Sequence, residues 1–168
     1  MKKIIIIALC TMLTLPLFAQ KLTKEERKEQ QKAAYELAKA SIENRDWVII
    51  PTSYIDGEGI TQANTDNSNF ISCEGENLFM QGWIVADNKY TNIAEATEYN
   101  LKVDKKGNIN LRIKVLGRMI KGIYTIRMPK NNNKASVIFT PQGESAIKFR
   151  GEVVPATSVV YNKRSNPM

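Results

Sequence analysis

The sequence of 168 residues contains no histidine. This absence excludes a Ser-His-Asp or Cys-His nucleophilic site, a histidine-ligated zinc site and a histidine pH switch. A glycine-rich phosphate loop and an alternating strand–helix–strand pattern are also missing, which excludes a Rossmann or P-loop nucleotide-binding protein. The sequence therefore assigns no catalytic residue, and it predicts no cofactor and no metal site.

Cysteine is scarce, with only Cys10 and Cys73 in the chain. Cys10 lies in an N-terminal segment that we expect to be removed, so Cys73 stands alone and forms no internal disulfide. No lysine or arginine lies directly beside Cys73 to lower the pKa of its thiol. We therefore predict that Cys73 is a small buried apolar residue in a strand over residues 69–73. The alternative is that Cys73 is a reactive thiol.

The N-terminal segment has the layout of a secretory signal peptide. Two lysines precede an apolar run over residues 4–18, and Ala19 supplies a small residue for cleavage. A membrane anchor is the alternative, but the run is short for a spanning helix and Pro16 interrupts it. We predict that residues 1–19 are a signal peptide, that no membrane span remains after cleavage, and that the protein is periplasmic, surface-attached or secreted.

Residues 20–46 are predicted to form an N-terminal helix. Thr23 and Glu26 have the spacing of a capping box, in which each side chain bonds the backbone of the other residue. The first half of the helix is polar and is expected to lie in solvent. An apolar stripe in the second half consists of Ala34, Leu37, Ala38 and Ile42, with Tyr35 beside it.

Residues 47–168 have the pattern of an antiparallel β domain. Apolar and polar residues alternate between Ile109 and Val115, which indicates a strand with one buried and one wet face. Turn-forming sequences separate about eight such segments. The predicted strands cover residues 47–50, 69–73, 78–85, 97–103, 108–116, 120–128, 135–140 and 145–154. We predict a mainly β protein, an antiparallel meander that forms a lipocalin-like barrel with one N-terminal α-helix, and the alternative is a two-sheet β-sandwich.

Charge is distributed in two blocks, because residues 47–98 are acidic overall and residues 99–168 are basic overall. Candidate anion-contacting residues on the basic strands are Arg112, Lys114, Lys121, Arg127, Lys148 and Arg150. The alternative is that the two blocks neutralise each other strand to strand. We expect no nucleic acid partner, since no aromatic residues alternate with the basic ones to stack on bases.

Aromatic residues suggest a second kind of site. Trp83, Tyr90 and Tyr99 are candidates to line a pocket for an apolar small ligand, and the alternative is ordinary core packing. The carboxylates of residues 47–98 leave a hydrolase as a less favoured third interpretation. The sequence thus favours a non-enzymatic ligand- or partner-binding module of the cell envelope. The alternative is an interaction protein that uses a basic sheet face to contact anionic envelope polysaccharides.

Several short motifs together resemble an uncharacterised family of exported proteins from Gram-negative anaerobes, the domain of unknown function 4251. The motifs are QKLTKEERK at 20–28, NFI at 69–71, EGE at 74–76 with Gln81, DKKGN at 104–108, VLG at 115–117 and GEVVP at 151–155 with Ser158 and Tyr161. The segment after Gln81 is shorter and poorer in glycine than in other members. The resemblance implies export and a small β-rich domain, and it implies no activity.

Overall fold

We describe residues 23–66 and 68–164 of the protein from a computed structural model. The predicted signal peptide and Cys10 lie outside the described residues. The helices are α1 (Lys24–Glu43) and α2 (Trp83–Ala86). The strands are β1 (Asp46–Ile55), β2 (Thr61–Ala63), β3 (Phe70–Glu74), β4 (Asn77–Gly82), β5 (Asn88–Val103), β6 (Ile109–Gly117), β7 (Lys121–Met128), β8 (Lys134–Pro141) and β9 (Ile147–Pro155). A 3₁₀ turn follows at Ala156–Ser158.

Eight strands form a closed antiparallel barrel. Strands β3 to β9 pair in chain order, β1 pairs with β3 on one side, and β1 pairs with β9 on the other side to close the sheet. The short strand β2 adds only to the second half of β1. The predicted meander barrel with one N-terminal helix is therefore confirmed, and the sandwich alternative is not what the chain adopts.

Several strand boundaries differ from those predicted. Strand β1 continues through Pro51, which pairs with Gly151, and a bulge between Pro51 and Ser53 accommodates the residue that cannot donate to the ladder. Strand β5 begins at Asn88 rather than at residue 97. Residues 83–85, predicted to be the end of a strand, belong to helix α2 instead, and the turn-rich stretch before Asn69 contains the additional strand β2.

The barrel interior is filled by apolar side chains. Ile109, Leu111, Ile113 and Val115 face inward from β6, as their alternation predicts. Trp47 on β1 is completely buried, and the rings of Tyr124 and Phe139 stack with centroids 4.2 Å apart. Most of the large apolar residues in the strands therefore pack in the core.

Helix α1 covers one end of the barrel. The capping box forms as predicted, with the Glu26 amide 3.2 Å from the Thr23 hydroxyl and the Thr23 amide 2.7 Å from the Glu26 carboxylate. Tyr35 donates a hydrogen bond of 2.6 Å to the Gly107 carbonyl in the turn between β5 and β6. Leu37 departs from the predicted stripe, because 60% of it is exposed. The buried stripe contains Tyr35, Ala38, Ser41 and Ile42 instead.

Candidate ligand-binding surfaces

Six cations predicted to contact anions lie together on the outer face of β6–β9. Antiparallel register places Arg127 in line with Ser136 and Arg150, and it places Arg112 in line with Ile138 and Lys148. Strands are spaced by about 4.8 Å, so Arg127 and Arg150 are roughly 10 Å apart across the sheet. We call this set the basic face, and its members are Arg112, Lys114, Lys121, Arg127, Lys148 and Arg150, all of them exposed.

Acidic neighbours neutralise only part of the basic face. Glu98 on β5 bonds Arg112 at 3.2 Å and Lys114 at 3.3 Å. The other four cations have no carboxylate within 4.0 Å among residues 23–66 and 68–164. Strand-to-strand neutralisation, the alternative raised by the charge blocks, therefore accounts for two of the six cations.

Depressions run along the basic face. A groove of about 480 Å³ on β6–β8 includes Asn110, Thr125 and Arg127 in its lining. A smaller cavity of about 150 Å³ beside the β1–β2 hairpin includes Lys148 and Arg150. Ser136 and Ile138 line both, so the two depressions adjoin. The lining of both depressions is mostly apolar, with Ile138 shared between them, and it also includes cations and short hydrogen-bonding side chains.

The three candidate pocket aromatics lie in three different places. Trp83 is on α2 and Tyr90 is near the start of β5, with 65% and 40% of each exposed. Tyr99 is half-buried beneath α1, where its hydroxyl accepts from the Trp47 indole at 3.0 Å and donates to the Ile42 carbonyl at 2.7 Å. The structure therefore does not bring these residues together around one interior pocket, and Tyr99 links the helix to the barrel.

The surroundings of Cys73 and of the carboxylates of Asp56 and Asp66 indicate structural roles. Cys73 is completely buried, and burial raises the pKa of its thiol to about 12, so it is not a thiolate at neutral pH. Asp56 and Asp66 accept several hydrogen bonds in turns, which lower the pKa of each carboxyl group. Such carboxylates fix loops, whereas a general acid in glycoside hydrolysis needs a raised pKa.

One surface was not foreseen from the sequence. Residues 159–164, which we call the strap, cross the outer face of β3–β5. The ring of Tyr161 packs 4.8 Å from that of Phe70, and its hydroxyl donates to Glu74 at 2.8 Å. Lys163 bonds the same carboxylate at 2.6 Å and lies 3.5 Å from the centre of the Phe79 ring. The strap thus covers one side of the barrel wall.

Polar groups under the strap are paired. Gln81 donates to the Asn162 carbonyl at 3.3 Å, and its oxygen accepts from the Arg164 amide at 3.0 Å. Thr91 bonds both Gln81 and the Arg164 amide. Ser72 donates to Glu74 at 3.1 Å. Buried polar groups are tolerated when they are hydrogen-bonded, so this network allows the strap to dehydrate the sheet beneath it.

Among the described residues we find no membrane-spanning helix and no cluster of metal ligands. The helices in this part of the chain are all too short or too polar to span a membrane. Within the same residues, no three acidic or cysteine side chains are placed together to hold a metal ion.

Taken together, the fold defines a small closed β-barrel with a helix over one end and a basic outer face. A crystal structure of a DUF4251 family protein from Bacteroides eggerthii DSM 20697 is similar, with a TM-score of 0.67 and 18% sequence identity. The match covers 79% of this chain and 94% of that chain. Neither a protein-family model nor a curated protein matches the sequence. The likeness shows a shared fold, and at that level it confirms the family resemblance drawn from the motifs.

Proposed function

We propose that this protein is a non-enzymatic binding module that holds an anionic polysaccharide against its basic face. The observation that carries the proposal is the cluster of exposed cations on β6–β9, of which only Arg112 and Lys114 have an acidic partner within residues 23–66 and 68–164. Like charges on neighbouring strands repel one another, so such a cluster favours binding of an anion that reduces the repulsion.

The extended shape of the basic face favours a polymer over a small anion. Its cations lie in neighbouring rows on three of the four strands, β6, β7 and β9, and the adjoining depressions follow the same rows. Between the cations lie Thr125 and Ser136, whose hydroxyl groups are able to hydrogen-bond to sugar hydroxyls, and the apolar Ile138. The outward positions of β6–β9 carry no aromatic residue to stack on bases, which supports a polysaccharide rather than a single-stranded nucleic acid.

The same proposal places the protein in the cell envelope after export. The signal-like pattern of residues 1–19 supports export to the cell envelope, where anionic polysaccharides are present. Mass spectrometry of the protein recovered outside the cytoplasm is expected to show a chain that begins after Ala19. A chain recovered only in the cytoplasm with residues 1–19 attached would contradict export.

Binding to immobilised heparin and polygalacturonate tests the basic face directly. We expect salt-sensitive retention of the wild type, because screening weakens exposed charge interactions. Replacing Lys121, Arg127, Lys148 and Arg150 by glutamine is expected to weaken binding about tenfold or more at low salt.

The matched control removes the same number of charges from another surface. Lys24, Arg27, Lys28 and Lys32 are exposed on α1, and their replacement by glutamine is expected to change affinity by no more than about threefold. Equal losses in the two variants would show attraction to net charge alone and would contradict a defined face. Preferential retention on single-stranded DNA would contradict a polysaccharide partner.

A further inference from the structure

Helix α2 is a short segment with an unusually well-fixed backbone. The Ile84 amide donates to the Asn69 side chain at 3.2 Å, the Val85 carbonyl accepts from the buried Tyr124 hydroxyl at 3.1 Å, and the Ala86 carbonyl accepts from Asn88 at 2.8 Å. Val85 and Ala86 are buried in the barrel. Barrel side chains thus hold three successive residues of this turn in place.

Glycine is required where α2 begins. Gly82 has φ of 94°, and a Cβ atom there would lie only 2.1 Å from the Asn69 side-chain oxygen. This close approach holds the start of the helix against the loop before β3. The position and direction of Trp83, the next residue, are therefore set by the fold and not by a free loop.

Trp83 nevertheless faces outward, with 65% of the residue exposed. Burial of a tryptophan is strongly favourable, and the other tryptophan of the chain, Trp47, is completely buried. A large aromatic ring left in solvent on a fixed backbone is the arrangement of a preformed contact for a partner molecule.

Trp83 lines a groove of about 520 Å³ between α2, the β1–β2 hairpin and the β8–β9 turn. Apolar parts of Tyr54, Ile84 and Ile147 line it together with Trp83, and its polar lining includes Asp87 and Glu144. A pocket of this volume that combines apolar surface with a few polar groups has the properties of a small-molecule site.

We propose that this groove binds a saccharide without acidic groups, with Trp83 as its stacking platform. A sugar ring has an apolar C–H face that packs on an indole and hydroxyl edges that donate to carboxylates, and the groove supplies both. Three carboxylates, from Asp56, Asp87 and Glu144, and a single lysine, Lys148, line it, so it disfavours anionic sugars. The site is distinct from the basic face, although Lys148 borders both.

The two tryptophans make the binding test direct, because solvent quenchers reach Trp83 and not the buried Trp47. The probes are unbranched tetrasaccharides of glucose, mannose, xylose and N-acetylglucosamine, each added to the wild-type protein at up to millimolar concentration. At least one is expected to protect Trp83 from acrylamide quenching in a saturable manner. Failure of every probe to protect Trp83 would overturn the proposal.

Variants then separate stacking from general apolar contact. Titration calorimetry with the protecting tetrasaccharide is expected to show an affinity loss of about tenfold or more for both Trp83→Ala and Trp83→Leu. Because Trp83 is exposed, neither variant is expected to unfold the barrel. Asp87→Asn, which suits the left-handed backbone at this position, is expected to reduce affinity by a smaller factor.

Tyr90→Ala is the matched control, since Tyr90 is an exposed aromatic that does not line the groove. Its affinity is expected to stay within about twofold of the wild type. Binding by Trp83→Leu as tight as wild-type binding would overturn stacking on the indole. Heparin retention that survives in Trp83→Ala, or saccharide binding that survives when Lys121, Arg127 and Arg150 are replaced by glutamine and the groove residue Lys148 is kept, distinguishes failure of one site from failure of the other.

Discussion

The two sides of the barrel wall use their outward positions in opposite ways. On β3–β5 the outward residues Phe70, Ser72 and Thr91 are completely buried, because the strap lies over them. On β6–β9 most outward positions are exposed, and they carry the six cations of the basic face together with uncharged residues such as Thr125 and Ile138 and one acidic residue, Glu152. Both sides belong to one closed sheet with the same inward apolar pattern, so the barrel itself does not impose the difference.

The difference shows what each side needs in order to be covered. The strap covers β3–β5 because the polar groups there are neutral or paired, as Gln81 and Glu74 are. Covering β6–β9 in the same way would leave unpaired cations without water, which is strongly unfavourable. None of the described residues therefore covers the basic face, and in the proposed function an anionic partner would supply a cover that matches its charge.

Replacement of Phe70 is expected to have the largest effect on stability, and it tests the difference between the covered β3–β5 side and the open β6–β9 side. Phe70→Ala removes a fully buried ring beneath the strap and is expected to lower the free energy of unfolding by about 3–5 kcal/mol. Leu116→Ala on the open side, where the residue is 52% exposed, is expected to lower it by less than about 1 kcal/mol. Urea denaturation measures both values. Similar losses would mean that the strap does not bury the β3–β5 wall.

Gln81 tests the polar pairing under the strap. Gln81→Ala leaves the Asn162 carbonyl and part of the Arg164 pairing unsatisfied and is expected to destabilise the protein by about 1–3 kcal/mol. Hydrogen exchange at the Arg164 amide is expected to become faster. The exposed Gln142→Ala variant serves as the control, and unchanged exchange in the Gln81 variant would show that the strap is held without this side chain.

Glu74 makes the strap sensitive to acid. Burial raises the pKa of Glu74, but hydrogen bonds from Lys163 and Tyr161 outweigh it and hold the pKa below its ordinary 4.5. A lowered folded-state pKa stabilises the protein above the ordinary value, and this contribution disappears as the pH falls through the lowered pKa.

The lowered pKa of Glu74 predicts how the stabilities of the wild type and of Glu74→Gln differ with pH. At neutral pH the wild type is expected to be more stable by about 1 kcal/mol or less, since the ion pair is partly exposed. The difference should shrink as the pH falls below 4.5. Thermal unfolding of both proteins across acid pH measures it. A stability difference that is constant across this range would contradict the assignment to Glu74.

Glu98 offers the smallest and sharpest test, because it is the acidic partner of Arg112 and Lys114 on the open side. Glu98→Gln releases both cations and is expected to tighten heparin binding by about two- to threefold and to steepen its salt dependence. Glu29→Gln on the exposed side of α1 makes the same charge change elsewhere. An equal gain in the control would assign the effect to net charge instead of the basic face.

Local patterns in the sequence predicted several features well. The capping box of α1, the alternation of β6 and the burial of Cys73 all follow from residues close together in the chain. The basic face was also predictable, since alternation places every second residue on the same side of a strand. The sequence does not predict how many of these cations have an acidic neighbour, because this depends on which acidic side chains the strand register brings near.

Features that depend on distant contacts were missed. Residues 83–86 have the β-branched and aromatic composition of a strand, but bonds from Asn69 and Tyr124 hold them as a helical turn. The strap lacks any periodic pattern, and its bonds to Gln81 and Glu74 join residues more than 80 positions apart. The sequence places Leu37 on the apolar stripe of α1, but the packing of α1 on the barrel leaves it exposed, and that packing cannot be derived from the helical period.

Residue types and their spacing along the chain establish the strand-rich character of this protein, the inward and outward sides of its strands and the charge carried by each side. Those properties depend on residue type and on a period of two, which are local. The packing of distant segments establishes which outward side is covered, where Trp83 is exposed and which cations lie beside a carboxylate among the described residues. Those properties depend on the closure of the sheet and on chain segments that meet only after folding.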